Sequence, residues 1–235
     1  VLVAAFGGIS GNLPALECIL ADVDRAGIHT RLSTGNLIVG FPWPNEVVQL
    51  VQSTRMLSVQ GELDRLTVRA TRKGASLKTR IDPAVLEATA WTHRVTLSRH
   101  LEFLGTLPKK KVLTVEGLSV CLCHGTPASH TERLLADDDL QRYRRQREYA
   151  NVHIVVMGGG CEPFWRMVDD TLFVNPGCAG FWGGEKPTAC YATINTEGDP
   201  WSVQFHHVPY TMANLDARLK ELQIDAPWRL PAEFL

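Results

Sequence analysis

The chain has 235 residues, 45% of them hydrophobic, enough for a sizeable core in one domain or two. A formal net charge of −1 does not point to a nucleic-acid polyanion or an acidic membrane surface as the partner, and no apolar run reaches the length of a membrane span. The six cysteines, Cys18, Cys121, Cys123, Cys161, Cys178 and Cys190, form no CxxC pair. They read as reduced, buried thiols, which implies a cytoplasmic location.

Residues 1–6 are a short apolar run with no basic flank, expected as a buried first strand and not a signal peptide. Gly7, Gly8 and Gly11 make a turn, and Asn12 is placed to cap a helix with Pro14 in its first turn. Leu16, Ile19, Leu20 and Val23 follow at helical spacing, with Gly27 as the stop. Residues 32–34 and 56–59 read as strands on either side of a helix over 45–53. This strand–helix alternation predicts a layered α/β domain.

The middle is more polar. Residues 65–78 read as loop, and 83–90 and 96–104 as helices. Strands at 111–115 and 118–122 are joined at Glu116-Gly117, a hairpin signal. Residues 130–149 read as one long charged helix with Leu134, Leu135 and Leu140 turned to the core. Strands are expected at 154–157, 171–174, 189–194 and 202–208 in a mostly antiparallel second half, then a helix over 212–222. With no repeat or linker, a single domain over residues 1–235 is favoured.

Six short motifs stand in order along this framework: Gly8-Ile9-Ser10-Gly11-Asn12, Gly35-Asn36, Gly61-Glu62-Leu63-Asp64, His124-Gly125-Thr126-Pro127, Gly158-Gly159-Gly160-Cys161 and Asn175-Pro176-Gly177-Cys178. Pro44-Asn45-Glu46-Val47 adds to the pattern. In order and spacing they resemble the calcineurin-like metallophosphoesterases, nearest the bacterial phosphodiesterase-like branch. That family reads D-x-H-G-N, G-D, G-N-H-D, H-G-T/S-P, G-H-T-H and N-P-G-S. The resemblance implies an α/β (α+β) fold of four layers, two mixed β-sheets flanked by helices, and two catalytic metals.

Most of the ligand positions differ. By the resemblance, Gly8 and Ser10 replace an Asp and a His, and Asn36 replaces the carboxylate that bridges both metals. Glu62 replaces the metal-binding Asn, and Leu63 the histidine beside the leaving group. Gly159 and Cys161 replace two more histidines, and only His124 keeps the family's residue. Two dications about 3.5–4 Å apart repel by roughly 16 kcal/mol at an effective dielectric of 20, and anionic ligands must offset this. A neutral Asn36 and two glycines do not, so no two-metal site is expected.

Two alternatives stand beside an empty cleft. His124, Glu62 and Cys161, with Asp64 or Cys178 nearby, could hold a single divalent ion, zinc or manganese. Gly7-Gly8, Gly158-Gly159-Gly160 and the helix start at Asn12 could cradle a phosphate or nucleotide through backbone N–H groups, or be small residues filling vacated space. Phe41, Trp43, Trp165, Phe181 and Trp182 would stand near the cleft, to narrow it, form a partner surface or fold onto the core. Lys109-Lys110-Lys111 and the run Arg142, Arg144, Arg145 and Arg147 read as solvated faces. The favoured function is a degenerate metallophosphoesterase serving as a binding or scaffold module, as the family's retromer subunit does, for a protein partner or a second copy. The alternative is a diverged phosphoesterase using one metal or none around His124.

Overall fold

The computed structural model describes residues 2–70, 81–180, 186–198 and 201–228. In chain order the elements are β1 (Leu2–Phe6), α1 (Leu13–Arg25), β2 (Thr30–Ser33), α2 (Pro44–Ser53), β3 (Leu57–Ser58), α3 (Glu62–Arg69), α4 (Pro83–Val95) and α5 (Ser98–Thr106). There follow β4 (Lys110–Val115), β5 (Leu118–Cys123), α6 (Leu140–Ala150), β6 (Ile154–Val156), β7 (Phe164–Val168), β8 (Thr171–Asn175), β9 (Thr188–Asn195), β10 (Ser202–Pro209) and α7 (Leu215–Leu222).

The strands make two mixed five-stranded sheets, β10-β9-β1-β2-β3 and β4-β5-β6-β8-β7. In the first, β1, β2 and β3 are parallel, and β9 runs antiparallel to β1 with Val3 opposite Ile194. In the second, β5, β6 and β8 are parallel, with β4 and β7 antiparallel at the edges.

Period-two alternation assigns each strand residue to a layer. Val3 and Ala5 of β1 meet Val120, Leu122, Val156 and Val174 between the sheets, while Ala4 and Phe6 turn to the helices, with Leu16 and Ile19 of α1. On β5, Cys121 and Cys123 take the opposite face and pack with Tyr143 of α6 and Phe173. The stack is therefore helix, sheet, sheet, helix. Each fully buried Leu, Ile or Phe contributes on the order of 2 kcal/mol to holding it.

Several expectations hold in detail. Asn12 caps α1, its Oδ1 accepting the Ala15 N–H at 3.2 Å, and Gly27 sits past the helix end at φ +69°. Glu116 and Gly117 both have positive φ, as a tight two-residue hairpin requires.

Others do not. Residues 65–69, expected as loop, belong to helix α3, because Leu63, Leu66 and Thr67 bury one side and Asp64 accepts the Gly61 N–H at 2.9 Å; residues 71–80 lie outside the described set. The expected long helix is confined to α6. Asp138 takes the Leu135 N–H at 2.7 Å and Asp139 takes that of Gln141 at 2.6 Å, so side chains hold backbone that a helix would use. Leu134 is buried, but Leu135 and Leu140 are exposed. The second half is mostly antiparallel, as expected, through β4–β5, β7–β8 and β9–β10, with strand β7 added and a parallel trio β5, β6 and β8 at the centre of its sheet.

Candidate functional site

Ligand sites in α/β sheets lie beyond the carboxyl ends of parallel strands. The six motifs follow the six parallel strands β1, β2, β3, β5, β6 and β8. Their loops close a ring. The Gly8 N–H donates to Gly35 O at 3.1 Å, and Asn36 reaches Leu63. His124 bonds Thr34 O, and the Gly158 N–H donates to His124 O at 2.9 Å. Cys161 is joined to Cys178, which forms a parallel bridge with Gly7.

His124 is almost fully buried, and its Nδ1 lies 2.8 Å from Thr34 O. A carbonyl only accepts, so Nδ1 carries the hydrogen and Nε2 the lone pair. Burial drives the imidazole pKa down to about 4, against the Thr34 bond, and the nearby His130 and Arg133 lower it further. His124 is therefore a neutral imidazole at neutral pH.

Asn36, in the left-handed region at φ 54°, uses Oδ1 to accept the Leu63 N–H at 3.0 Å. This caps the start of α3. Asp64 is turned to the backbone. It is fully buried, and its oxygens accept the N–H groups of Leu37 at 2.8 Å and Gly61 at 2.9 Å. Burial raises its pKa to about 6 despite these bonds. Glu62 faces Arg65 at 4.0 Å.

The glycines are tightly packed. A Cβ on Gly8, at φ +53°, would come within 2.9 Å of Cys178 Sγ. One on Gly158 would meet Thr34 Oγ1 at 2.6 Å, and one on Gly159 would meet the Arg133 stem at 3.0 Å. Thus a sulfur and an arginine stem fill space beside positions that carry Asp and His in the family pattern.

The cradle reading is overturned for the first loop. The N–H groups of Gly8, Ser10, Gly11 and Asn12 donate to the carbonyls of Gly35, Asn36, Leu37 and Ile9, at 3.1, 2.9, 2.7 and 3.0 Å. The Gly158 N–H is committed to His124 O, while Gly160 is a half-buried neighbour of Asn175. Ser10 Oγ donates to Gly8 O at 3.2 Å, and Asn12 Nδ2 donates to Gly180 O and Tyr210 Oη, both at 2.8 Å. These side-chain bonds hold the loop in place.

The expectation of six free thiols is also corrected. Cys161 and Cys178 form a disulfide, their Cα atoms 4.6 Å apart. Cys18, Cys121, Cys123 and Cys190 are free. Trp43 is buried, Trp165 stands exposed on β7, Phe41 is half-buried, and Phe181 and Trp182 lie outside the described residues. On α6, Arg142 pairs with Glu132 and Asp138, Arg144 with Asp169 and Arg147 with Asp170.

Three residues of the site were not singled out from sequence: Thr34, His130 and Arg133. The His130 ring lies 5.5 Å from that of His124, and its Nε2 bonds Gln60 O at 2.8 Å. Glu132 positions this loop, accepting from Thr126 Oγ1 at 2.9 Å and Gln146 Nε2 at 3.0 Å. The sequence signal was the spacing of His130 and Arg133 behind the His124 motif, concealed by reading the stretch as helix.

The chain belongs to the calcineurin-like phosphoesterase superfamily, whose domain model matches residues 11–199. It is 28% identical over 126 residues to an uncharacterized protein of Methanocaldococcus jannaschii, a match covering 54% of this chain and 50% of that relative. The alignment thus spans about half the length of that curated relative. Among solved structures, a hypothetical protein of Pyrococcus horikoshii is similar at TM-score 0.82 and 21% identity, covering 95% of this chain and 94% of that one. A metallophosphoesterase from Sphaerobacter thermophilus follows at TM-score 0.75 and 22% identity, with 96% and 95% covered. Vps29 from Entamoeba histolytica matches at 0.51 and 16%, with 90% and 100% covered. These likenesses show the shared fold.

The family pattern implies two metals, and the donors present do not fit them. Asn36 Oδ1 is neutral and holds the Leu63 N–H, Gly8 and Gly159 have no side-chain donor atoms, and the Cys161 sulfur is bonded to Cys178. In that state Cys161 cannot join His124 and Glu62 as a thiolate around a single ion. Among the described residues, no three His, Cys, Asp or Glu side chains are grouped to hold a metal. Also among the described residues, no helix is long and apolar enough to cross a membrane.

Proposed function

We propose that this chain keeps the metallophosphoesterase fold without assembling its two-metal centre, and acts as a binding module for a protein partner or a second copy of itself. One observation carries the reading: Asn36, at the position of the bridging carboxylate, spends its side-chain oxygen on the Leu63 N–H. A metal-bridging ligand must present anionic oxygen to both ions. Asn36 is neutral and turned to the backbone.

Two measurements on purified protein test this. Metal content by plasma mass spectrometry should be far below one equivalent per chain, and hydrolysis of bis-p-nitrophenyl phosphate with added manganese should stay at the buffer rate. Two equivalents of metal with manganese-dependent turnover would overturn the reading. Light scattering on the same sample separates monomer from homo-oligomer and decides whether the partner is a second copy.

A second reading is favoured by His124. Its Nδ1 is held by Thr34 O, which leaves the Nε2 lone pair to bind one metal or accept a hydrogen bond from a substrate or water in a diverged phosphoester hydrolysis. Under this reading His124→Ala abolishes whatever hydrolysis the purified protein shows. Full activity in that variant removes it.

A further inference from the structure

Cys161 and Cys178 come from different parts of the ring. Cys161 lies between β6 and β7, in a segment of the second sheet. Cys178 follows β8 but is stitched to the first sheet: it bridges Gly7, and the next two residues donate N–H groups to Gly7 O at 2.7 Å and Gly8 O at 2.9 Å. The Asn12 side chain holds Gly180 O as well. The disulfide therefore ties residues 157–163, whose Gly158 N–H holds His124 O, to the loop that covers Gly8.

The two cysteines differ in exposure. Cys178 is 3% exposed, whereas Cys161 is partly exposed. We propose that the Cys161–Cys178 pair is a reversible thiol-exchange site, attacked by a dithiol reductant at the Cys161 sulfur, whose reduction releases residues 157–163 from the loop that covers Gly8. A thiolate of the reductant bonds to Cys161 Sγ, the protein S–S bond breaks, and the electron pair leaves on Cys178 Sγ, which takes a proton from water. The second thiol of the reductant then attacks its own sulfur in the mixed disulfide and frees Cys161. One protein disulfide becomes two thiols, and one dithiol becomes a disulfide.

The surroundings suit both states. Gly160 O lies 3.7 Å from Cys178 Sγ, an acceptor for the thiol once it forms. A third sulfur is close, since a Cβ on Gly177 would lie 3.4 Å from Cys190 Sγ. Cys190 is buried and donates to Pro176 O at 3.4 Å, and burial pushes its pKa up to about 11. It stays protonated and takes no part in exchange, because the thiolate is the attacking species. The exchange is thereby confined to one pair.

The proposal rests on the disulfide and not on the binding-module reading, so metal content bears on that reading alone. The test uses the full chain, purified without reductant, with digestion and mass mapping. A linked peptide containing Cys161 and Cys178 is expected. After dithiothreitol under native conditions, iodoacetamide should label Cys161 ahead of Cys178 and leave Cys190 unlabelled. Oxidised glutathione should restore the linked peptide. Amide exchange over residues 157–163 should rise at least tenfold on reduction and in the double variant Cys161→Ser, Cys178→Ser. Absence of the linked peptide, resistance to native reduction, or unchanged exchange in this segment would each overturn the proposal.

Discussion

The side-chain oxygen of Asn36 accepts the backbone N–H of Leu63 at 3.0 Å. By the resemblance, the first residue stands where the family bridges its metals and the second where it places a leaving-group histidine. Here the two are bonded to each other as the cap of a helix. Asp64 completes the cap through Gly61 and Leu37. A loop that elsewhere presents ligands outward is turned inward to hold backbone.

Replacing Asn36 should therefore be a stability change. Asn36→Ala loses a cap, about 1 kcal/mol, and places alanine in the left-handed region, about 1 more. Urea unfolding should show a total loss of about 2 kcal/mol. An unchanged midpoint would mean that the Asn36–Leu63 bond does not hold α3.

Two buried groups set opposing pH dependences. Asp64 titrates near 6 in the fold against 3.8 when exposed, so the stability present below pH 4 is lost as pH rises to 6. His124 titrates near 4 against 6.5, so stability present above pH 6.5 is lost as pH falls to 4. Each shift is worth about 3 kcal/mol. They nearly cancel, and the stability contributed by these two groups should be flat between pH 4 and 6.5. In Asp64→Asn the His124 effect stands alone, and stability should climb with pH across that window. In His124→Asn it should fall. Parallel curves for wild type and both variants, from urea titrations at several pH values, would contradict this.

Gly8 and Cys178 should be coupled. Gly8→Ala places a Cβ at φ +53° and 2.9 Å from Cys178 Sγ. Left-handed strain and overpacking together should cost about 2–3 kcal/mol. With Cys178→Ala as background the sulfur contact is gone while the Cβ contact at 3.2 Å stays, and the same substitution should cost about 1 kcal/mol less. Additive losses in this double-mutant cycle would show that the sulfur does not crowd Gly8.

The disulfide should also matter at equilibrium. It closes a loop of sequence separation 17. Chain-entropy arguments give about 3 kcal/mol for a loop of this size. Urea curves with and without phosphine reductant should differ by that order. Coincident curves would mean that reduction leaves the balance between folded and unfolded chains unchanged.

The architecture was legible because burial follows simple periods. Val3 and Ala5 alternate with Ala4 and Phe6, and α1 buries Leu16, Ile19, Leu20 and Val23 on one side. What escaped was set by contacts distant in sequence. Helix α3 has a polar composition and exists because Leu63 and Leu66 find the core and Asp64 finds two N–H donors. The pairing of Cys161 with Cys178 depends on β6 and β8 lying side by side, which no spacing rule announces. The degenerate ligand positions could be listed from sequence, but what their side chains do could not. His130 and Arg133 were hidden in a stretch whose helical look is broken by Asp138 and Asp139.

The bond from Asn12 to Tyr210 spans 198 positions, and β1 pairs with β9 near the other end of the chain. The centre of the first sheet therefore waits for its partner to be synthesised. At 5–20 residues per second, the first loop and its sheet would stay incomplete for roughly 10–40 s after β1 is made. During that interval Ala4 and Phe6 lack their finished surroundings, and β1, paired with β2 on one side, presents an open edge on the other. Production of this protein should therefore depend on holdase chaperones more than its folded stability would suggest, and truncation before β9 should leave an aggregate, not a smaller domain.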